Sequence, residues 1–258
     1  MNVLEHLGIN LYSNVPAVLS EIVANAWDAD ASEIHIVWDG EDEIIIRDDG
    51  IGMTPQEVNE RFLTVGYRRR DQQPGLTLKG RRPMGRKGIG KLSLFSIAGC
   101  VEVETARDST KSAFRMVLAD IRQRIENQDG EATYHPEPLD ATTIDFTNGT
   151  RITLTDLRKR QTINTTKALK RRLARRFSII GDAEGFRIFV NDQEVTPADR
   201  DYYDKIQYLW TYGESADIAV HCRSASKFDR TSALVSTDLE LSGWIGTVKE
   251  VRHLKDEE

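Results

Sequence analysis

Leu19-Ser-Glu21-Ile-Val-Ala-Asn25-Ala-Trp-Asp28-Ala is the stretch on which the reading of this chain turns. It lies in a segment, residues 15–29, whose apolar positions include Val18, Ile22 and Trp27, which predicts a helix. On such a helix Glu21, Asn25 and Asp28 stand at i, i+4 and i+7, so all three project from one face. A carboxylate and a carboxamide one turn apart suit a site for phosphate and magnesium. Asn25 offers a neutral oxygen to a metal that prefers oxygen ligands and keeps several waters. Glu21 is placed to polarise an attacking water, as a general base must. An isolated E-x-x-x-N, however, is more often a partly buried helix with a few solvated polar residues, so the stretch needs company.

Three further motifs supply it, in a fixed order. Asp48-Asp-Gly50-Ile-Gly52-Met53 follows Ile44-Ile-Ile46, putting an acidic tight turn at a strand end. Gly50 and Gly52 permit positive φ and let a flat ring approach the backbone. Asp48 can accept a hydrogen bond from the exocyclic amine of adenine. Gly85-Arg-Lys-Gly88-Ile89-Gly90-Lys91 opens a predicted helix, whose first N–H groups and positive dipole end suit an anion, with Lys91 adding a cation. It fits neither a dinucleotide fingerprint, which follows a domain's first strand, nor a phosphate loop, which ends in Gly-Lys-Ser/Thr. Gly149-Thr150 begins a strand that sets Thr150, Ile152 and Leu154 on one side, and the threonine hydroxyl is in reach of adenine directly or through water. Each motif alone has an ordinary structural reading as a turn, a helix start or a strand start. Together they describe a pocket for magnesium and ATP.

The rest of the chain sets the frame. Its 258 residues are enough for one large domain, or a domain and part of another. With 39% hydrophobic and 29% charged residues it reads as an ordinary globular protein, and a net charge of −6 argues against a polycation that coats nucleic acid. Cys100 and Cys222 fit neither a zinc site nor a disulfide framework, and read as reduced thiols in a cytoplasmic protein. No apolar run nears the ~18 residues of a membrane span, so no membrane partner is expected.

Two strands are expected at 34–38 and 44–46, and a helix opening at Thr54-Pro55-Gln-Glu57 with a capping box. Residues 66–88 read as a mobile basic loop, followed by a helix from about Ile89 to Ala98. Strands are expected near 101–105 and 112–118, a polar irregular stretch over 121–148, a strand at 151–154, a basic helix near 164–177 and a strand at 186–190. Residues 199–258 have a different texture. Asp217–His221 and Leu239–Val248 hold strand-like material, which is too little to close a core. The expectation is a nucleotide domain over 1–198 and a truncated second domain over 199–258.

The four motifs resemble those of the GHKL superfamily, which groups gyrase, the ninety-kilodalton heat-shock chaperone, histidine kinases and MutL. The resemblance covers roughly residues 10–195. It implies a Bergerat fold, an α+β two-layer sandwich with a mixed β-sheet, with ATP between the helix layer and a flexible lid, followed by the start of a second α/β domain. By the same resemblance Glu21 is the general base and Asn25 the magnesium ligand, with Asp28 in support. Asp48 holds the adenine amine, with Gly50, Gly52 and Met53 shaping that contact and Thr150 completing the adenine end. Gly85, Gly88, Ile89, Gly90 and Lys91 close over the phosphates. Glu21 favours hydrolysis over phosphotransfer to a histidine, because histidine kinases lack this glutamate and none of the five histidines has a phosphoacceptor context. The run from Leu19 to Ala29, Gly149-Thr-Arg-Ile-Thr-Leu and the basic helix ending Arg175-Arg-Phe-Ser look most like microrchidia (MORC) ATPases and their bacterial relatives, with the heat-shock chaperone second.

What the resemblance implies further is an ATP-dependent homodimer and a lysine or arginine inserted at the γ-phosphate by the second domain. Lys249 is the local candidate for that cation, and the residue lies beyond this chain if Lys249 is not it. Nine basic residues stand between Arg68 and Lys91 against one acidic, Asp71, and nine between Arg158 and Arg176 against none. Two readings of these segments, 68–91 and 158–176, stay open: solvated faces, or the lining of a clamp that touches DNA phosphates. No aromatics interleave the arginines, which argues against stacking on single-stranded bases.

Overall fold

A computed structural model describes residues 15–38, 42–62, 75–85, 90–126, 134–158, 165–177, 179–180, 185–212, 216–229 and 243–254. Residues 66–74 and 86–88 of the predicted loop, and Ile89 after it, lie outside the described residues. The chain divides into two compact units, Met1–Val195 and Thr196–Glu258.

In the first unit, helix α1 (Val15–Asp28) is followed by strands β1 (Glu33–Val37) and β2 (Glu43–Asp48). Helix α2 (Pro55–Glu57) continues as a π-helical turn over Val58–Phe62. Its start is as expected: the Thr54 side chain accepts from the Glu57 N–H, and the Glu57 carboxylate reaches back to the Thr54 N–H. A 3-10 segment (Gly90–Ser96) leads into β3 (Ala98–Arg107) and β4 (Thr110–Val117). Then come α3 (Leu118–Glu126), β5 (Glu137–Pro138), β6 (Gly149–Leu157), α4 (Thr165–Arg176), β7 (Arg187–Val190) and β8 (Gln193–Glu194).

These strands form one mixed sheet in the order β5-β4-β3-β6-β2-β1-β7-β8. Neighbours are antiparallel except β1 and β7, which run parallel. Period-two alternation sends one row of side chains into the core: Ile34 and Ile36, Ile44 and Ile46, Val101 and Val103, Ile152 and Leu154, Ile188 and Val190. Helix α1 covers them with Val18, Leu19, Ile22, Val23 and Trp27, and α4 with Leu169 and Leu173. Full burial of each such side chain contributes roughly 1.5–3 kcal/mol. The opposite face of the sheet is a charged ladder, with Glu104 facing Arg151, Glu102 facing Arg115 and Glu33 facing Arg187 in register. Each of these cross-strand pairs is an ion pair. One face apolar and one face charged make this an α+β two-layer sandwich.

Several local expectations need correction. The predicted helix at 89–98 is a short 3-10 segment that ends at Ser96, and Ala98 already belongs to β3. Winding at three residues per turn lines Leu94 up with Ile97, both buried. The stretch expected to be irregular from 121 begins with α3, which buries Leu118 and Ile121. It follows β4 with no Gly or Pro between them, so the change from period two to helical spacing carries no punctuation in the sequence. Over 75–85 the expected mobile loop is irregular backbone as read, but it is tied down as described below.

The second unit has a three-stranded sheet, β10-β9-β11, built from β9 (Ile206–Tyr212), β10 (Ser226–Asp229) and β11 (Gly243–Val248). Asp217–His221, expected as strand, belongs to the short helix α5 (Ala216–His221). Tyr203, Ile206, Leu209, Ile218 and Cys222 form a buried cluster of their own, so the unit does close a small core.

Candidate functional site

Three of the four motifs meet where α1 ends. The Ala29 carbonyl accepts the Ile51 N–H at 2.8 Å, which seats the turn after β2 on the end of the helix. Asp28 is buried, and its two carboxylate oxygens accept the N–H groups of Met84 at 2.6 Å and Gly85 at 2.9 Å. Gly85 therefore lies directly on the helix: a side-chain carbon there would fall 2.9 Å from Asp28 Oδ2 and 3.9 Å from Asn25 Oδ1. Asp28 anchors the glycine segment through its backbone.

The whole strap from 75 to 85 is fixed in the same corner. Trp27 Nε1 donates to the Arg82 carbonyl at 3.0 Å. Arg81 is buried against the Trp27 ring, its carbon 4.2 Å from the ring centre, and donates to the Ala31 and Gly185 carbonyls at 2.5 and 2.8 Å. Thr77 donates to Asp30. Arg81 thus belongs to the fold, although the sequence counted it among basic residues available to phosphates.

The acidic doublet at the end of β2 divides its labour. Asp49 Oδ1 accepts the N–H groups of Ser32 and Glu33 at 2.7 and 2.8 Å, which ties down the start of β1. Asp48 turns inward, is buried, and accepts the Gly50 N–H at 2.9 Å. No cationic side chain pairs with its carboxylate among the described residues. Burial pushes its pKa up to about 6, against the pull of the Gly50 and Thr150 N–H groups and the Arg47 charge.

Of the two glycines in this turn only Gly52 takes positive φ, at +67°. A side-chain carbon at Gly52 would meet the Ala106 carbonyl oxygen at 1.8 Å, and one at Gly50 the Ala29 oxygen at 2.8 Å. Both glycines are therefore required by neighbouring backbone. Gly149 has φ +111° beside the Asp48 carbonyl, and Asp48 and Thr150 are partners in the β2–β6 ladder.

One residue that the sequence reading passed over joins this corner together. Thr105 Oγ1 accepts the Met53 N–H at 2.9 Å, donates to the Gly149 carbonyl at 3.1 Å and lies 3.2 Å from Thr150 Oγ1. Its signal was a polar side chain continuing the inward row of Val101 and Val103.

Asn25 and Glu21 lie one and two turns back along α1 from Asp28. Asn25 is exposed, and Glu21 is partly buried and paired with Arg176 of α4, Oε1 to Nη2 at 3.2 Å. Gly90 and Lys91 begin the 3-10 segment. Among the described residues no cluster of three or more His, Cys, Asp or Glu side chains could hold a metal unaided.

Residues 12–150 match the family described as histidine kinase-, DNA gyrase B- and HSP90-like ATPase, just over half of the chain. The chain belongs to this ATPase family. All of it aligns at 36% identity, over 261 residues, with the putative type II restriction enzyme HgiDII of Herpetosiphon aurantiacus, covering 42% of that protein. It is 28% identical over 170 residues to the chaperone protein HtpG of Mycolicibacterium vanbaalenii, which takes in 56% of this chain and 25% of that one. A 47-residue stretch, 17% of this chain and 8% of the other, is 45% identical to the DNA mismatch repair protein MutL of Chlamydia trachomatis. The chain thus spans less than half the length of these relatives. No helix among the described residues is long and apolar enough to cross a membrane.

Proposed function

We propose that this member of the ATPase family binds ATP with magnesium and hydrolyses it, closing a lid and pairing two copies of the nucleotide unit into a clamp that acts on DNA. The observation that carries the nucleotide reading is Asp48: a buried carboxylate, raised to about pKa 6, beside Gly52-Met53 and Gly149-Thr150. A desolvated acceptor of this kind fits the exocyclic amine of adenine, whose hydrogen bond offsets part of the cost of burying charge. Gly50, Gly52, Met53 and Thr150 would shape the adenine end. Gly85, Gly88, Ile89, Gly90 and Lys91 would run along the phosphates, with Asp28 holding the first of them.

The donor set fits magnesium bound in company with phosphates. The ion takes few protein ligands and keeps waters and phosphate oxygens, so the exposed Asn25 carboxamide without a carboxylate cluster is an adequate protein share. Bound there, it would neutralise phosphate charge. Glu21, one turn from Asn25 and steered by Arg176, would take a proton from the attacking water.

Replacing Glu21 with Ala tests the hydrolytic reading. Turnover should fall by about 10²–10⁴-fold while ATP affinity stays within a few fold. Hydrolysis at the parent rate removes Glu21 as the base. Light scattering with magnesium and a non-hydrolysable ATP analogue tests the clamp, which predicts a dimer with the analogue and a monomer with ADP.

DNA is preferred as the object of the clamp because a relative that aligns along the whole chain is named a putative type II restriction enzyme. Resemblance to MORC-like ATPases and the basic residues of 158–176 point the same way. DNA-stimulated turnover that fades steeply with salt is the expected signature. Likeness to HtpG favours a second reading, a chaperone-like ATPase with protein clients, for which turnover would be indifferent to DNA.

A further inference from the structure

Strand β3 sends Val101, Val103 and Thr105 inward, and all three are fully buried. A buried hydroxyl in an apolar row needs partners, and Thr105 has three of them. A threonine hydroxyl holds one hydrogen and two lone pairs. The hydrogen goes to the Gly149 carbonyl at 3.1 Å, and one lone pair accepts the Met53 N–H at 2.9 Å. The remaining lone pair faces Thr150 Oγ1 at 3.2 Å. With its own hydrogen committed, Thr105 can only accept from Thr150. The Thr150 hydrogen must then point at Thr105, and the Thr150 lone pairs point elsewhere.

We infer that Thr105 is a positioning and specificity residue: it fixes the Thr150 hydroxyl as a hydrogen-bond acceptor at the adenine end of the pocket. The inference rests on the adenine reading of Asp48 and Thr150 proposed above. It gives that end two acceptors, the Asp48 carboxylate and the Thr150 oxygen. Adenine answers with an amine for Asp48, and with a ring nitrogen that a water can serve while donating its second hydrogen to Thr150. Guanine puts a carbonyl oxygen where adenine has the amine, and that oxygen meets a carboxylate. Were Thr150 free to rotate and donate, the polarity of the edge would no longer be set. Thr105 also holds the Met53 backbone, so the same hydroxyl fixes the turn that carries Asp48 and the threonine beside it.

Titration of the whole chain with ATP and GTP in magnesium, for the parent and for variants at Thr105 and Thr150, tests this. Thr105→Val is nearly isosteric and should bind ATP about three- to tenfold more weakly, as loss of one or two hydrogen bonds implies, with a narrower preference over GTP. Thr105→Ser should stay within about twofold of the parent. Adding Thr105→Val to Thr150→Val should cost less than Thr105→Val costs the parent, because only the bonds to Met53 and Gly149 are then left to lose. Thr105→Cys, of similar volume and weak hydrogen bonding, serves the same comparison if the valine variant does not fold. Parent-like affinity and selectivity in Thr105→Val, a serine variant as poor as valine, or additive effects in the pair would each overturn the inference. If the parent binds ATP and Thr105→Val changes nothing, the adenine reading stands and only the role of Thr105 falls. If the parent binds no ATP, both fall.

Discussion

Two buried aspartates mark two corners of this site, and they are used in opposite ways. Asp28, at the end of α1, spends both carboxylate oxygens on the backbone of Met84 and Gly85. Asp48, at the end of β2, accepts from the Gly50 N–H, lies near that of Thr150, and has no cationic side chain against it among the described residues. A carboxylate whose oxygens are consumed by backbone N–H groups is a fastener. A buried carboxylate raised to about pKa 6 by desolvation is held at a cost to the fold, and such a cost points to a ligand. The comparison therefore predicts opposite outcomes for removing the two charges.

The largest effect on stability is expected at Asp28. Replacement by Ala strands two backbone N–H groups in a partly buried corner, at ~1–3 kcal/mol each, or about 2–6 kcal/mol together. Thermal melting should fall accordingly, and protease cleavage near Met84 should appear under conditions where the parent is intact. An Asp28→Ala variant that melts with the parent would show that these two bonds are not what holds the strap, and the contrast with Asp48 would collapse.

Asp48→Asn should go the other way without nucleotide. The carboxyl pKa rises from 3.8 in the unfolded chain to about 6 in the fold, so the ionised form costs the native state on the order of 3 kcal/mol. That cost is fully present above pH 6, shrinks as pH falls through 6, and is gone below 3.8. The asparagine variant should therefore equal or exceed the parent in stability at pH 7.5, with the gap closing toward pH 4. ATP affinity should drop more than tenfold in the same variant, and in the parent it should weaken as pH falls through 6. A variant less stable than the parent at pH 7.5, with a gap independent of pH, would mean that Asp48 is structural like Asp28.

The two corners also differ in how far the sequence disclosed them. Asp48 was legible because it follows three isoleucines and precedes Gly-Ile-Gly, a local pattern that binds turn, strand and acid together. The inward and outward rows of the sheet followed from alternation in the same way. Asp28 was legible as a candidate for the site, but its partners Met84 and Gly85 stand 56 and 57 residues away, and no local pattern announces a carboxylate that accepts distant backbone. The same distance hid Arg81, which looks in the sequence like one more cation of a basic loop and in the fold bridges Ala31 and Gly185. Thr105 stood in plain view as the polar member of an apolar row, yet its meaning depends on the register that places it opposite Thr150. Helix α3 was missed for a different reason, since β4 runs into it with no turn residue to mark the change.

The smallest effects sharpen the picture of the strap. Thr77 and Lys79 both bond back toward the end of α1, Thr77 to Asp30 within the protein and Lys79 Nζ to Ser32 Oγ at 2.7 Å on the surface. Burial should decide between them. Thr77→Val removes the hydroxyl from a buried carboxylate and from the Arg81 N–H that it accepts at 3.1 Å, and should cost about 1–3 kcal/mol. Lys79→Ala breaks an exposed bond that water replaces at once, and should stay within about 0.5 kcal/mol of the parent. Amide exchange separates the two more finely than melting. Protection at the Gly80 and Arg81 amides, whose partners are the Thr77 carbonyl and hydroxyl, should fall in Thr77→Val and hold in Lys79→Ala. Equal loss in both variants would mean that the strap is held by its surface contacts, and that its buried fastening to α1 contributes less than the geometry of Asp28, Asp30 and Arg81 implies.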